Sequence, residues 1–248
     1  MTRRSRINKK DIYNNKILYQ YLNTSPIPYN IDYLNKTIYF IENFNNSINN
    51  IKFPNDIIKI IFGNNFNQPL DGNNLPSKLL CITFGNNFNQ SLHHLPKTVE
   101  HIKFGHDFNQ IFNNDDDKDQ KYPNIKKLEF GHDFNQVINI NNFQLLEDLK
   151  FDHNFNQSLT NIKFPSSLLK LTFGHNFNQS FNDIDLKSSF IEHLMFGSNF
   201  NQVLNVNNIP KSLLEIILPT RYNEDTLLKE SIKNIKKKYV YLKIIYNY

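Results

Sequence analysis

Most of the chain repeats one short alternation of apolar and polar positions: apolar, two residues, apolar, one residue, apolar. It occurs at Leu79, Ile82 and Phe84, and again at Val99, Ile102 and Phe104. Further copies stand at Ile125, Leu128 and Phe130; Leu146, Leu149 and Phe151; Leu168, Leu171 and Phe173; Ile191, Leu194 and Phe196; and Leu213, Ile216 and Leu218. The second half has the period of two that predicts a short strand with one buried face. Four positions beyond the closing Phe stands another, in the series Phe66, Phe88, Phe108, Phe134, Phe155, Phe177 and Phe200. These rings are expected to point into a core and stack turn on turn, each burial contributing about 2–3 kcal/mol. A return segment follows, with an apolar residue such as Leu70, Leu92 or Phe112 and usually a proline, as at Pro54, Pro76, Pro96, Pro123, Pro165 and Pro210. Proline lacks an N–H and favours extended geometry, so this side is expected to be irregular and not helical.

One phrase surrounds these positions. FGNNFNQ begins at Phe62 and Phe84, FGHDFNQ at Phe104 and Phe130, FDHNFNQ at Phe151, FGHNFNQ at Phe173 and FGSNFNQ at Phe196. The copies step by 22, 20, 26, 21, 22 and 23 residues. A period in the twenties marks a stacked repeat protein. Worn copies starting at Phe40 and Leu218 extend the series to about nine turns of ~22 residues. Such a stack is one domain that grows with repeat number. The expected divisions are a flank or cap over 1–34, the solenoid over 35–223 and a second cap over 224–248. Asp11–Leu22 has the spacing of a short amphipathic helix, broken at Ser25-Pro26-Ile27-Pro28. Residues 224–238 predict a helix with acids leading and lysines ending it, and Tyr239–Tyr246 then alternates as a strand.

Two constants of the phrase call for a physical reason. Glycine follows the first Phe at Gly63, Gly85, Gly105, Gly131, Gly174 and Gly197, with Asp152 in the remaining copy. Gly, then Asn and Asp, best accept positive φ, so a left-handed corner is expected there. Asn follows the second Phe at Asn67, Asn89, Asn109, Asn135, Asn156, Asn178 and Asn201. Fixed beside core rings, it is expected to turn inward and bond the backbone of its own and the next turn as a ladder. An unpaired amide buried there would cost about 1–3 kcal/mol.

Composition and charge change this picture little. The net charge is +5 with a pI near 9.0. The excess lies largely in Arg3, Arg4, Arg6, Lys9 and Lys10 and in Lys229, Lys233, Lys236, Lys237 and Lys238, which reads as solvated ends and not a nucleic-acid surface. The lone cysteine, Cys81, excludes an internal disulfide and fits a reducing interior; no motif sets a base beside it. The basic N-terminus has no apolar stretch behind it, and no apolar run is long enough to span a membrane. The acidic insertion Asn113–Lys121 explains the step of 26 but lacks the Gly and distal Glu of an EF-hand loop. His106, His132, His153 and His175 share one column. A straight row does not converge on an ion, so it is read as an exposed turn edge, with no metal or cofactor expected. No nucleophile–base pair or phosphate loop points to an enzyme.

The strand positions facing away from the core vary while their neighbours hold constant. One column is Thr37, Lys59, Cys81, His101, Lys127, Asp148, Lys170, His193 and Glu215. The next is Tyr39, Ile61, Thr83, Lys103, Glu129, Lys150, Thr172, Met195 and Ile217. Variable residues on a constant scaffold describe a recognition surface. The partner-binding candidates are Thr37, Lys59, His101, Lys103, Lys127, Glu129, Asp148, Lys150, Lys170, Thr172, His193, Met195 and Glu215. Alternating charges, as in Lys127, Asp148 and Lys170, would also pair across strands for about 0.2–1 kcal/mol each.

The phrase FGxxFNQ, preceded by segments such as Leu75-Pro76-Ser77-Lys78-Leu79 and Ile209-Pro210-Lys211-Ser212-Leu213, resembles the FNIP repeat over roughly residues 35–225. The resemblance implies a leucine-rich-repeat-like fold: a curved β-rich solenoid with a parallel sheet on the concave face, an extended convex return and short helical caps. It implies a non-enzymatic module that binds a protein partner. Many members carry an N-terminal F-box, which would bring ubiquitin-ligase components as partners, but residues 1–35 lack a clear Leu-Pro opening of that kind. The family occurs in social amoebae and in giant viruses of amoebae, so the expected location is intracellular and cytoplasmic, in the host cell if the source is viral.

Overall fold

The alternating positions form one strand per turn in the computed structural model, which describes residues 27–247 apart from 72–73, 94, 113–121, 141–142, 161, 182–183, 185 and 187–188. The Asp11–Leu22 helix, residues 1–26 of the segment on which the F-box question turns, and the acidic insertion Asn113–Lys121 therefore lie outside the described residues. In chain order the strands are β1 (Tyr29–Asp32), β2 (Thr37–Phe40), β3 (Lys59–Ile61), β4 (Leu70–Asp71), β5 (Cys81–Thr83), β6 (Leu92–His93) and β7 (His101–Lys103). They continue as β8 (Lys127–Glu129), β9 (Asp148–Lys150), β10 (Lys170–Thr172), β11 (His193–Met195), β12 (Glu215–Pro219) and β13 (Lys243–Asn247). One sheet of 11 strands runs β1-β2-β3-β5-β7-β8-β9-β10-β11-β12-β13. Every pairing from β2 onward is parallel. The architecture is a parallel β-solenoid of about seven full turns, one for each complete copy of the phrase.

At the N-terminal edge the sheet opens with a hairpin that the repeat pattern did not announce. β1 runs antiparallel to β2, with Asp32 opposite Thr37. Asp32 Oδ1 accepts from the N–H groups of Leu34 and Asn35 at 3.0 and 3.1 Å, and Lys36 takes a left-handed φ of 48°. An Asp that bonds the backbone two and three residues on is an ordinary turn former.

The core is a double row of rings. Within each full copy the two Phe rings lie 3.7–4.0 Å apart, as in Phe104–Phe108 and Phe62–Phe66. Between turns, first-Phe rings are spaced near 5.5 Å, as in Phe104–Phe130, and second-Phe rings near 6.0 Å, as in Phe108–Phe134. Ring planes stay close to parallel, so each Phe packs on both neighbours in offset stacks. The row ends in Tyr222, fully buried 5.9 Å from Phe200, with its hydroxyl donating to the Gln202 carbonyl.

The glycine column corrects a sequence expectation. None of the described glycines has positive φ, and neither does Asp152. What the position lacks is room. A Cβ on Gly131 would stand 1.6 Å from the Gly105 carbonyl oxygen, and one on Gly105 would stand 1.9 Å from that of Gly85. The parallel hydrogen bonding continues round this corner: Asp107 N–H donates to Asn86 O at 2.8 Å and Asp133 N–H to His106 O at 2.9 Å. At six turns glycine leaves that space free, while Asp152 carries a Cβ at the same position and its turn still keeps the bond, Asn154 N–H to His132 O at 2.9 Å.

The return path carries turns and the short pair β4–β6, with no α-helix among its described residues. Its prolines open these turns. Leu79 N–H donates to Pro76 O at 3.0 Å, Val99 to Pro96 at 3.0 Å and Leu168 to Pro165 at 3.1 Å. The proline serves as acceptor, and its missing N–H is not needed. Just before the strand, hydroxyls bridge turns: Thr98 Oγ1 donates to Leu79 O at 2.6 Å, Ser167 Oγ to Leu146 O at 2.8 Å and Ser212 Oγ to Ile191 O at 2.8 Å.

At the C-terminal end, α1 (Thr226–Lys238) starts at Asp225, whose Oδ1 accepts from Leu227 and Leu228 N–H at 2.8 and 3.0 Å. Lys236, Lys237 and Lys238 close it, where cations suit the carbonyl end of the helix. Leu228, Ile232 and Ile235 are buried, and β13 then joins β12. No helix among the described residues is long and apolar enough to cross a membrane.

Candidate functional site

Register turns the two variable columns into two straight lines on the sheet. Lys59, Cys81, His101, Lys127, Asp148, Lys170, His193 and Glu215 follow one another strand by strand, and Lys243 continues the line. Beside them run Ile61, Thr83, Lys103, Glu129, Lys150, Thr172, Met195 and Ile217. Because side chains alternate along a strand, the residue between the lines faces the core: Ile82, Ile102, Leu128, Leu149 and Leu171 are all buried.

Two candidates are not on offer at this surface. Thr37 is only 2% exposed, sits under the hairpin opposite Asp32, and donates its hydroxyl to Asn35 O at 3.0 Å. Thr172 is 7% exposed, a short side chain in register between the longer Lys150 and Met195. His101, Lys103, Lys150, Lys170 and His193 are exposed, and Lys59, Lys127, Glu129, Asp148, Met195 and Glu215 are half-buried.

Charges knit the middle of the sheet. Lys127 Nζ lies 2.9 Å from Glu129 Oε1 and 3.4 Å from Asp148 Oδ2, and Lys103 Nζ lies 3.6 Å from Glu129 Oε2. The hydrogen bond to Glu129 raises the Lys127 ammonium pKa against the effect of its burial. Burial opposes the Glu129 charge, but the Lys127 hydrogen bond and the ammonium groups of Lys127, Lys103 and Lys150 outweigh it, and the carboxyl is held below its usual range. Further along, Lys243 donates to Glu215 Oε1 at 2.7 Å, with His193 Nδ1 3.7 Å from the other oxygen. That hydrogen bond lowers the Glu215 carboxyl pKa.

Register also brings together a pair that the sequence kept apart. Cys81 Sγ lies 3.5 Å from His101 Nδ1, because adjacent turns align them. A cysteine beside a histidine has the composition of a nucleophilic dyad. Burial, however, pushes the Cys81 thiol up; Glu100 adds to this and Lys59 only partly offsets it. A thiolate is therefore disfavoured where a nucleophile would need one.

The asparagine column lies at the turn edge and is half-buried or exposed, which corrects its expected inward position. From Asn67 to Asn178, each Asn side-chain carbonyl receives the N–H of the same residue one turn later. Asn67 Oδ1 accepts from Asn89 N–H, Asn109 from Asn135, Asn135 from Asn156 and Asn156 from Asn178, each at 2.9 Å. The following Gln adds a second donor, as Gln90 Nε2 to Asn67 Oδ1 at 3.0 Å. Asn89, Asn178 and Asn201 take part in the same series.

A continuous parallel sheet, a twofold row of core rings and short extended returns define a repeat solenoid of the leucine-rich-repeat type. The chain belongs to the FNIP repeat family: the model described as FNIP Repeat matches residues 36–87, 88–115, 144–176 and 177–220. Among solved structures it is similar to one described as the crystal structure of CroV588, a novel circular LRR protein, at 38% identity and a TM-score of 0.62. That match covers 72% of this chain and 26% of the other, so the chain spans about a quarter of that protein's length. No curated protein matches it in sequence.

Proposed function

We propose that the chain is a non-enzymatic scaffold that binds a partner protein through the solvent face of its sheet, the concave side of a stack of about nine turns closed by a cap at each end. The observation that carries this reading is the contrast within single strands. The strand position between the two lines is Ile or Leu from β3 to β12 (Ile60, Ile82, Ile102, Leu128, Leu149, Leu171, Leu194 and Ile216), while the flanking pair changes in size and charge from turn to turn. Packing alone dictates the first set and leaves the second free to be read by a partner. The lines hold six lysines (Lys59, Lys103, Lys127, Lys150, Lys170 and Lys243) against three acids (Glu129, Asp148 and Glu215), which favours an acidic partner surface.

Reversing Lys127, Lys150 and Lys170 together to Glu tests the assignment. Because Lys127 pairs with Glu129 and Asp148, the triple variant is expected to melt at a lower temperature yet stay folded at the assay temperature, as followed by circular dichroism, and to lose partner capture in a pull-down from the native host. Undiminished capture by the folded variant would move the binding surface elsewhere.

A further inference from the structure

The histidine column on the turn edge holds more than a row. His106, His132, His153 and His175 stack with ring centroids 4.3, 4.5 and 4.6 Å apart. A row of parallel rings points its nitrogens in one direction and does not by itself enclose an ion. Only the copies at Phe104 and Phe130 read His-Asp, however, and they are consecutive. Stacking them brings an acid against two rings. Asp133 Oδ1 lies 2.7 Å from His132 Nδ1, and its Oδ2 lies 3.7 Å from His106 Nδ1. Ligand atoms of His106, His132 and Asp133 all fall within 4.8 Å of one another. The next two copies place Asn154 and Asn176 where the acid would be, so the convergence is confined to this pair of turns among the described residues.

We propose that His106, His132 and Asp133 hold one divalent transition-metal ion of the borderline class represented by zinc, with water completing its shell. Two imidazole nitrogens and one carboxylate oxygen suit such ions better than magnesium or calcium, which prefer all-oxygen shells. Three protein ligands leave positions open to solvent. Access is direct: the four side chains of His106, Asp107, His132 and Asp133 are 48, 46, 38 and 39% exposed, and an open polar groove lined by Asn109, Asp133, Asn135, Asn154, Asn156 and Asn176 borders the site. Binding through Nδ1 requires each imidazole to be neutral with its proton on Nε2, so that the Nδ1 lone pair is free for the ion. Neighbours fix the ligands in place. His132 is held between the rings of His106 and His153, and Asn154 Nδ2 donates to Asp133 Oδ1 at 3.0 Å. Such supporting contacts normally orient metal ligands.

Calorimetric titration of the full chain with zinc chloride, in parallel with magnesium chloride, tests the site. One equivalent of zinc is expected to bind, and magnesium is not. Asp133→Asn and His132→Ala should each weaken zinc binding by about tenfold or more. His175→Ala, which shortens the row without touching the acid, should leave it unchanged. In a second measurement, cobalt(II) should give its ligand-field bands with the wild-type chain and lose them with Asp133→Asn, an isosteric change that keeps an oxygen able to accept from Asn154 and so spares the fold. The absence of saturable zinc binding would overturn the proposal. So would an equal loss in His175→Ala, which would assign the binding to the row and not to the cluster.

Discussion

Asn135 shows how one side chain can tie two turns together. Its Oδ1 accepts from Asn156 N–H at 2.9 Å and from Gln157 Nε2 at 3.1 Å. Asn135→Leu removes both acceptors, but the site is half-buried and water can replace part of the loss. The expected cost is about 1–2 kcal/mol. For a chain of this size that lowers the melting temperature by roughly 2–8 °C. Val137→Ala, at a position 67% exposed, is the control and should not move it. An equal shift in both would contradict the ladder. The periodicity of Asn made the ladder legible in the sequence. Its depth was not legible, because alternation between Phe and Asn says which side of a strand-like segment each faces but not how far the edge stands from solvent. The glycines misled for a related reason. Positive φ and lack of space both select glycine, and only the carbonyl of the preceding turn, 1.6 Å from a Cβ on Gly131, separates the two.

At the scale of the strands, β7 to β9 carry the charge network that joins three turns. Glu129 is its hub, with Lys127 and Lys103 within 3.6 Å. A carboxyl whose pKa is lowered by folding contributes stability that is full above the ordinary carboxylate range and lost as pH falls through its folded value. The raised Lys127 works in the opposite direction: its contribution is full below the ordinary lysine range and lost as pH rises through its folded value. Glu129→Gln should therefore be less stable than wild type near neutrality, with the gap closing in acid, as followed by urea unfolding from neutral to acidic pH. Parallel curves would show that the pair contributes nothing to folding. A near-constant step fixes register, so the sequence predicted the Lys127–Asp148 pair across strands. The closer Lys127–Glu129 contact lies within β8 and was not foreseen, and among the described residues Asp148 and Lys170 form no ion pair. Cys81 and His101 already stand side by side in one sequence column, so their contact was legible there; the acid between His106 and His132 was not, because it arises from reading the histidine column against its neighbour.

For the whole molecule, the repeat determined most of the architecture in advance: parallel strands, a ring-filled core and non-helical returns; the C-terminal helix is legible separately, in residues 224–238 beyond the repeat. The β1–β2 hairpin escaped because a single antiparallel strand at an edge leaves no period. On the proposed function, the solenoid is a constant frame and recognition falls on the variable lines of its sheet. Lysine labelling of the free chain and of its complex with the captured partner, read by mass spectrometry, tests that division most directly. Lys103, Lys127, Lys150 and Lys170 should lose reactivity in the complex, while the exposed return-path residues Lys78, Lys97 and Lys211 keep theirs. Protection of Lys78, Lys97 and Lys211 with the sheet lysines still reactive would contradict the account.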